Sequence, residues 1–100
     1  MREGNSRSEE LERKARFQIV NKLGLHARAA AVLVQLANKF DSDIEICKDG
    51  LQVSGKSIMS VLQLAALKGD SIEIIARGGD SRQALEAIGD LIANRFGEEE

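Results

Sequence analysis

The chain contains no proline, tryptophan or tyrosine, and only one cysteine and one histidine in 100 residues. Its three aromatic residues are all phenylalanine, too few for a base-stacking platform. Fourteen basic against sixteen acidic side chains give a net charge of −2, without the basic surplus that phosphate-backbone binding asks for, so nucleic acid is set aside as a partner. The lone Cys47 excludes an intramolecular disulfide, and with a single histidine it falls short of the ligand count of a structural zinc site. No apolar run approaches the roughly 20 residues that cross a bilayer. The polar start Met1-Arg2-Glu3-Gly4-Asn5 lacks the apolar core of a signal peptide. The expectation is a cytoplasmic protein without membrane insertion.

What is present suits one small domain. Residues 1–15 are nearly all charged from Arg7 to Lys14 and read as a flexible extension, although Ser6 and Glu9 have capping-box spacing for a short frayed helix. An alternative role for this stretch is a partner-binding arm. From Arg16 the pattern alternates, with Phe17 and Ile19 on one side, as in a half-buried strand. Ala30, Leu33, Val34 and Ala37 then repeat at helical spacing and predict a helix over about 27–39. Ile44 and Ile46 mark a second strand, and Asp49-Gly50 signals a hairpin into a third through Leu51 and Val53. Ser57 stands where it can cap a short helix beginning at Ile58. Ile72, Ile74 and Ala76 give a fourth strand, and Asp80, with Gln83 three residues on, is placed to cap a last helix whose stripe is Leu85, Ile88, Leu91, Ile92 and Phe96. The order βαββαβα predicts an α+β domain over 16–97, a four-stranded antiparallel sheet with helices on one face, followed by an acidic end, 98–100. The pattern does not set strand order, and a ferredoxin-like arrangement fits it almost as well.

His26 lies in Leu23-Gly24-Leu25-His26-Ala27-Arg28 at the junction of the first strand and first helix. A helix start offers backbone N–H groups without intrahelical partners and the positive end of the macrodipole, so an anion carried on the imidazole would meet donors already in place. Arg28 supplies a full positive charge two residues on. A cation at a helix start works against the dipole, which points to a bound anion there. Neutral imidazole is a nucleophile near pH 7, and a planar guanidinium matches phosphoryl oxygens.

On these residues the chain resembles HPr, the histidine-containing phosphocarrier family of the bacterial phosphoenolpyruvate-dependent sugar phosphotransferase system (PTS). Asn21-Lys22-Leu23-Gly24-Leu25-His26-Ala27-Arg28 looks like that family's active-site segment, and Gly55-Lys56-Ser57-Ile58-Met59-Ser60-Val61 like its regulatory-serine segment. The resemblance spans about 16–96. It implies an open-faced β-sandwich with strand order 1-4-2-3 and three helices on one face. It implies a stoichiometric carrier, not an enzyme, whose His26 accepts a phosphoryl group from phosphorylated enzyme I and passes it to an enzyme IIA domain. Arg28 would stabilise the phosphoryl group, with the helix-start N–H groups of Ala27 and Arg28 as further donors and no metal or other cofactor. Ser57 would be the target of an HPr kinase/phosphorylase, against its plainer role as helix cap. Leu25, Met59 and Leu62 would form a partner-binding apolar patch, and the protein would be a monomer. The alternative within the family is a regulatory paralogue, of nitrogen-type PTS or catabolite control, that acts mainly by binding a kinase, permease or transcription factor. One departure is Ala29, where the family usually has proline; alanine is a strong helix former, so a slightly looser helix start is expected.

Overall fold

A computed structural model describes residues 11–100. The short helix and partner-arm readings of the first ten residues lie outside the described residues. The elements are β1 (Glu12–Gln18), α1 (Ala27–Ala37), β2 (Asp43–Lys48), β3 (Leu51–Ser54), α2 (Ile58–Leu62), β4 (Ser71–Arg77) and α3 (Ser81–Ala93), closed by a 3-10 turn, Arg95–Gly97. The sheet runs β1-β4-β2-β3 with every neighbouring pair antiparallel, which separates this fold from the ferredoxin-like alternative and matches the order the resemblance implies.

Period-two alternation decides which side is covered. Ile44, Ile46, Ile72, Ile74 and Ala76 are buried against Ala30, Leu33, Val34 and Ala37 of α1, Val61 of α2, and Ala84, Ile88 and Ile92 of α3, in a single core. The other face of the sheet carries charge: Arg77 on β4 bonds Glu12 of β1 at 2.9 Å and Glu45 of β2 at 2.8 Å. Ile75, on that same face, is buried between its cross-strand neighbours Lys14 and Glu45. The Asp49-Gly50 turn is as the sequence predicts. Both residues have positive φ, 51° and 86°, the backbone that lets two strands close through a two-residue loop without splaying.

Three expectations change. β1 begins at Glu12, so Glu12–Ala15, read as part of the flexible extension, are strand paired to β4. Phe96 is in the core at 2% exposure but does not continue the α3 stripe; it sits beyond the helix in a left-handed conformation, φ 55°. Asp80 occupies the N-cap of α3 but makes no side-chain cap bond. Its carboxylate instead accepts the backbone N–H groups of Asp41 and Ser42 and the Ser42 hydroxyl, tying the entry to β2 against the start of α3. Those bonds, the Ser42 hydroxyl first and the Asp41 N–H next, hold the Asp80 carboxyl below the usual carboxylate value. A depressed native value gives stability that is complete above the unfolded value, about 3.9, and is lost as pH falls through the native one. Asp80→Ala is therefore expected to lower the urea midpoint at neutral pH, with the gap to wild type narrowing as pH drops below about 4. Equal gaps at both pH values would show that the ionised carboxylate is not the tie.

Candidate functional site

The connection from β1 to α1 is shaped by its backbone. Gly24 N–H closes a turn on the Asn21 carbonyl at 3.2 Å, and Leu25 N–H reaches across to the Ala66 carbonyl at 2.9 Å, fastening this loop to the segment between α2 and β4. Gly24 has φ 68°, and a Cβ there would stand 2.5 Å from the Ala66 oxygen, so glycine serves both the turn and the close approach. The chain emerges at His26, which is the N-cap of α1, with φ −75° and ψ −179°.

His26 faces two ways. Its Nδ1 accepts the backbone N–H of Arg28 at 3.3 Å, and its Nε2 lies 2.6 Å from Oε2 of Glu98. A backbone N–H can only donate, so Nδ1 carries the lone pair and the ring proton is on Nε2, donated to the carboxylate. The same Oε2 accepts from Arg28 Nη1 at 3.2 Å, while Oε1 accepts from Asn21 Nδ2 at 3.0 Å. The His26 side chain is 28% exposed, Glu98 14% and Arg28 62%. Asn21 is fully buried and also donates to the Gly24 carbonyl at 2.9 Å. Both its neighbours are acceptors, which fixes the amide this way round and leaves Oδ1 without a hydrogen-bond partner. The Asn21 hydrogen bond foremost, then the His26 bond and the Arg28 charge, outweigh partial burial and keep the Glu98 carboxyl below its usual value.

Glu98 arrives from the far end of the chain. After α3, Arg95, Phe96 and Gly97 all have positive φ, 59°, 55° and 81°, and fold the tail back over α1. Left-handed backbone costs residues with a Cβ about 1–2 kcal/mol each, offset here by burial of the Phe96 ring, about 2–3 kcal/mol. Lys22 holds the last residue, donating its N–H to the Glu100 carbonyl and placing Nζ 3.4 Å from Oε1 of Glu100. Lys22, Leu23, His26, Arg28, Glu98 and Glu100 line a shallow depression of about 370 Å³.

His26 and Arg28 thus stand together as the sequence suggests. Ala27 and Arg28 open α1, and the Arg28 N–H is already aimed at the ring. Ser57 is the N-cap of α2, its hydroxyl accepting from Ser60 N–H at 3.3 Å. Met59 is 77% exposed and Leu62 38%, on a helix packed against α1. Leu25 is not part of an outward patch: the bond to Ala66 draws it into the core at 4% exposure, and the exposed apolar residue beside the histidine is Leu23, at 62%. Ala29 is fully buried in the first turn, and α1 forms normally without a proline there. Sequence reasoning missed Asn21 and Glu98. Gly97, a residue suited to reversing a helix end, was the one hint that the tail turns back.

A family model described as the PTS HPr component phosphorylation site matches residues 13–94. The phosphocarrier protein HPr of Cupriavidus necator is 51% identical over 82 residues, 82% of this chain and 92% of that protein. The phosphocarrier protein HPr of Neisseria meningitidis serogroup A is 46% identical over 87 residues, 87% of this chain and 98% of its own. Among solved structures, HPr-C-His from Thermoanaerobacter tengcongensis superposes with a TM-score of 0.85 at 43% identity, covering 88% of this chain and 99% of that one. An HPr dimer from the same organism gives 0.70 at 45% identity, covering 82% and 94%.

Proposed function

The chain belongs to the PTS HPr family of phosphocarrier proteins, carriers rather than catalysts, and on that premise we propose that His26 receives a phosphoryl group from phosphorylated enzyme I and delivers it to an enzyme IIA-type acceptor. The observation that carries this reading is the Nδ1 lone pair of His26, held at the N-terminus of α1 by the Arg28 N–H, while the Arg28 guanidinium shares the Glu98 carboxylate with the same ring. Nδ1 attacks phosphorus as the donor's N–P bond breaks, and the electron pair of that bond returns to the donor ring. The ring proton stays on Nε2 throughout. The charge on the incoming group meets the helix-start N–H groups and macrodipole. Arg28, mostly exposed, can turn from Glu98 to pair two guanidinium donors with phosphoryl oxygens. The reverse step uses the same groups, because a phosphoramidate retains the transfer potential that a serine ester would lose.

Every group in this scheme comes from one chain, which supports action as a monomer even though a relative has been solved as a dimer. Met59 and Leu62, exposed on α2, and Leu23, which lines the depression at His26, supply apolar surface for docking partners. Ser57, at the start of α2, would add charge there when phosphorylated by an HPr kinase/phosphorylase, without melting the helix, because an anion suits an N-cap. Ser57→Asp is accordingly expected to leave stability within about 0.5 kcal/mol of wild type and to slow charging by enzyme I roughly tenfold. An unchanged rate would remove Ser57 from the regulation of this step.

The deciding experiment is incubation with enzyme I, Mg²⁺ and phosphoenolpyruvate, followed by intact mass and acid-stability analysis. One acid-labile phosphoryl group per chain supports the carrier. A chain left uncharged by an enzyme I that charges another HPr would favour the regulatory paralogue.

A further inference from the structure

The 2.6 Å contact between Glu98 and His26 is the shortest tie that the ring makes, and it is made at the nitrogen that does not attack. A neutral imidazole can carry its proton on either nitrogen, and only the form with the proton on Nε2 leaves Nδ1 free at the helix start. An acceptor fixed at Nε2 selects that form, the arrangement by which a buried carboxylate orients the histidine of a Ser-His-Asp triad. The acceptor here is itself fixed: Asn21 holds Oε1, Lys22 holds the tail two residues on, and three successive left-handed residues aim the segment at the site.

Building on the carrier reading above, we infer that Glu98 is a positioning residue for phosphoryl transfer, holding His26 in the Nε2–H tautomer so that Nδ1 is the nucleophile. When Nδ1 forms its bond to phosphorus, the ring becomes a phosphorylated imidazolium with its proton still on Nε2. Its new positive charge then lies against the Glu98 carboxylate. Arg28 can leave Oε2 for the phosphoryl oxygens without stranding Glu98, because His26 and Asn21 remain bound to the carboxylate. The side chain thus serves the ring both before and after transfer.

The test uses full-length wild type, Glu98→Gln, Glu98→Asp and Glu98→Ala, with ¹⁵N-labelled imidazole. Nitrogen NMR of the uncharged proteins reads which ring nitrogen bears the proton, and single-turnover charging by phosphorylated enzyme I reads the rate. Wild type is expected almost wholly as Nε2–H. Glu98→Ala should populate the Nδ1–H form and charge about tenfold more slowly, the usual scale for losing a partner that orients a ligating histidine. Glu98→Gln should keep the tautomer, since its amide oxygen still accepts, but charge more slowly than wild type for want of the negative charge. Glu98→Asp should recover part of both readouts. An unchanged tautomer balance in Glu98→Ala, or a charging rate equal to or above wild type, overturns the inference; a faster rate would mean that the tail shields the histidine instead. Failure of the carrier reading looks different, since wild type itself would then stay uncharged while the NMR comparison still reports whether Glu98 holds the ring.

Discussion

His26→Asn is expected to take up no acid-labile phosphate from enzyme I and phosphoenolpyruvate while melting within about 1 kcal/mol of wild type. The chain has a single histidine, so no second imidazole can substitute and the loss should be complete. Asparagine is the informative replacement because His26 is also a helix cap. Its ring accepts the Arg28 N–H, and an asparagine side-chain oxygen can do the same at the same position. Alanine would lose both roles, adding about 1 kcal/mol of destabilisation to the chemical defect. Intact mass after incubation with enzyme I, set beside urea midpoints of both variants, separates nucleophile from cap. An acid-labile phosphoryl group on His26→Asn would sink the assignment of the acceptor outright.

Gly24→Ala should be the costliest single methyl group at the site. A Cβ at residue 24 would lie 2.5 Å from the Ala66 carbonyl oxygen and 2.9 Å from the Leu67 Cα, both backbone atoms that cannot rotate away. The φ of 68° adds the left-handed penalty, and any retreat of the loop breaks the Leu25–Ala66 hydrogen bond. These effects together amount to about 3 kcal/mol, a fall of roughly 2–3 M in the urea midpoint of a domain this size. Gly50→Ala is the control, since its φ of 86° is equally left-handed but nothing lies within 4 Å of the added atom. That variant should lose only about 1 kcal/mol. If the two variants lose the same stability, contact with Ala66 is not what requires glycine. Charging of Gly24→Ala should also slow, because the displaced loop carries His26 two residues later.

The parts of this molecule written in the sequence are those governed by neighbours in the chain. The Asp49-Gly50 hairpin, the Ser57 cap and the joint placement of His26 and Arg28 follow from backbone preference and helical spacing within a few residues. What escaped depends on distant partners. Glu12–Ala15 look like a charged tail because β1 is an edge strand whose outer face is open, so polar side chains suit it; only pairing to β4 makes it strand. The spacing of Asp80 and Gln83 fits a capping box, yet the carboxylate turns to Ser42, which lies 38 residues away. Leu25 reads as outward surface until the Ala66 carbonyl is seen to pull it under. Glu98 carries no local signal beyond the Gly97 that precedes it, because its place is set by the backward turn at Arg95–Gly97 and by Asn21, 77 residues earlier.

That last separation bears on when the protein becomes competent as it is made. β1 must wait for β4, whose Arg77 pairs with Glu12 across 65 residues, and closing so long a loop carries an entropic cost before any contact rewards it. Glu98 reaches back still further, 72 residues to His26. At translation rates of about 5–20 residues per second, the segment carrying His26 spends several seconds in a nascent chain whose sheet and tail do not yet exist. The loop, Arg28 and the start of α1 can form in that interval, but the carboxylate at Nε2 cannot. Completion of the site is therefore a late event in biosynthesis, because the segment carrying Glu98 is made 72 residues after the one carrying His26.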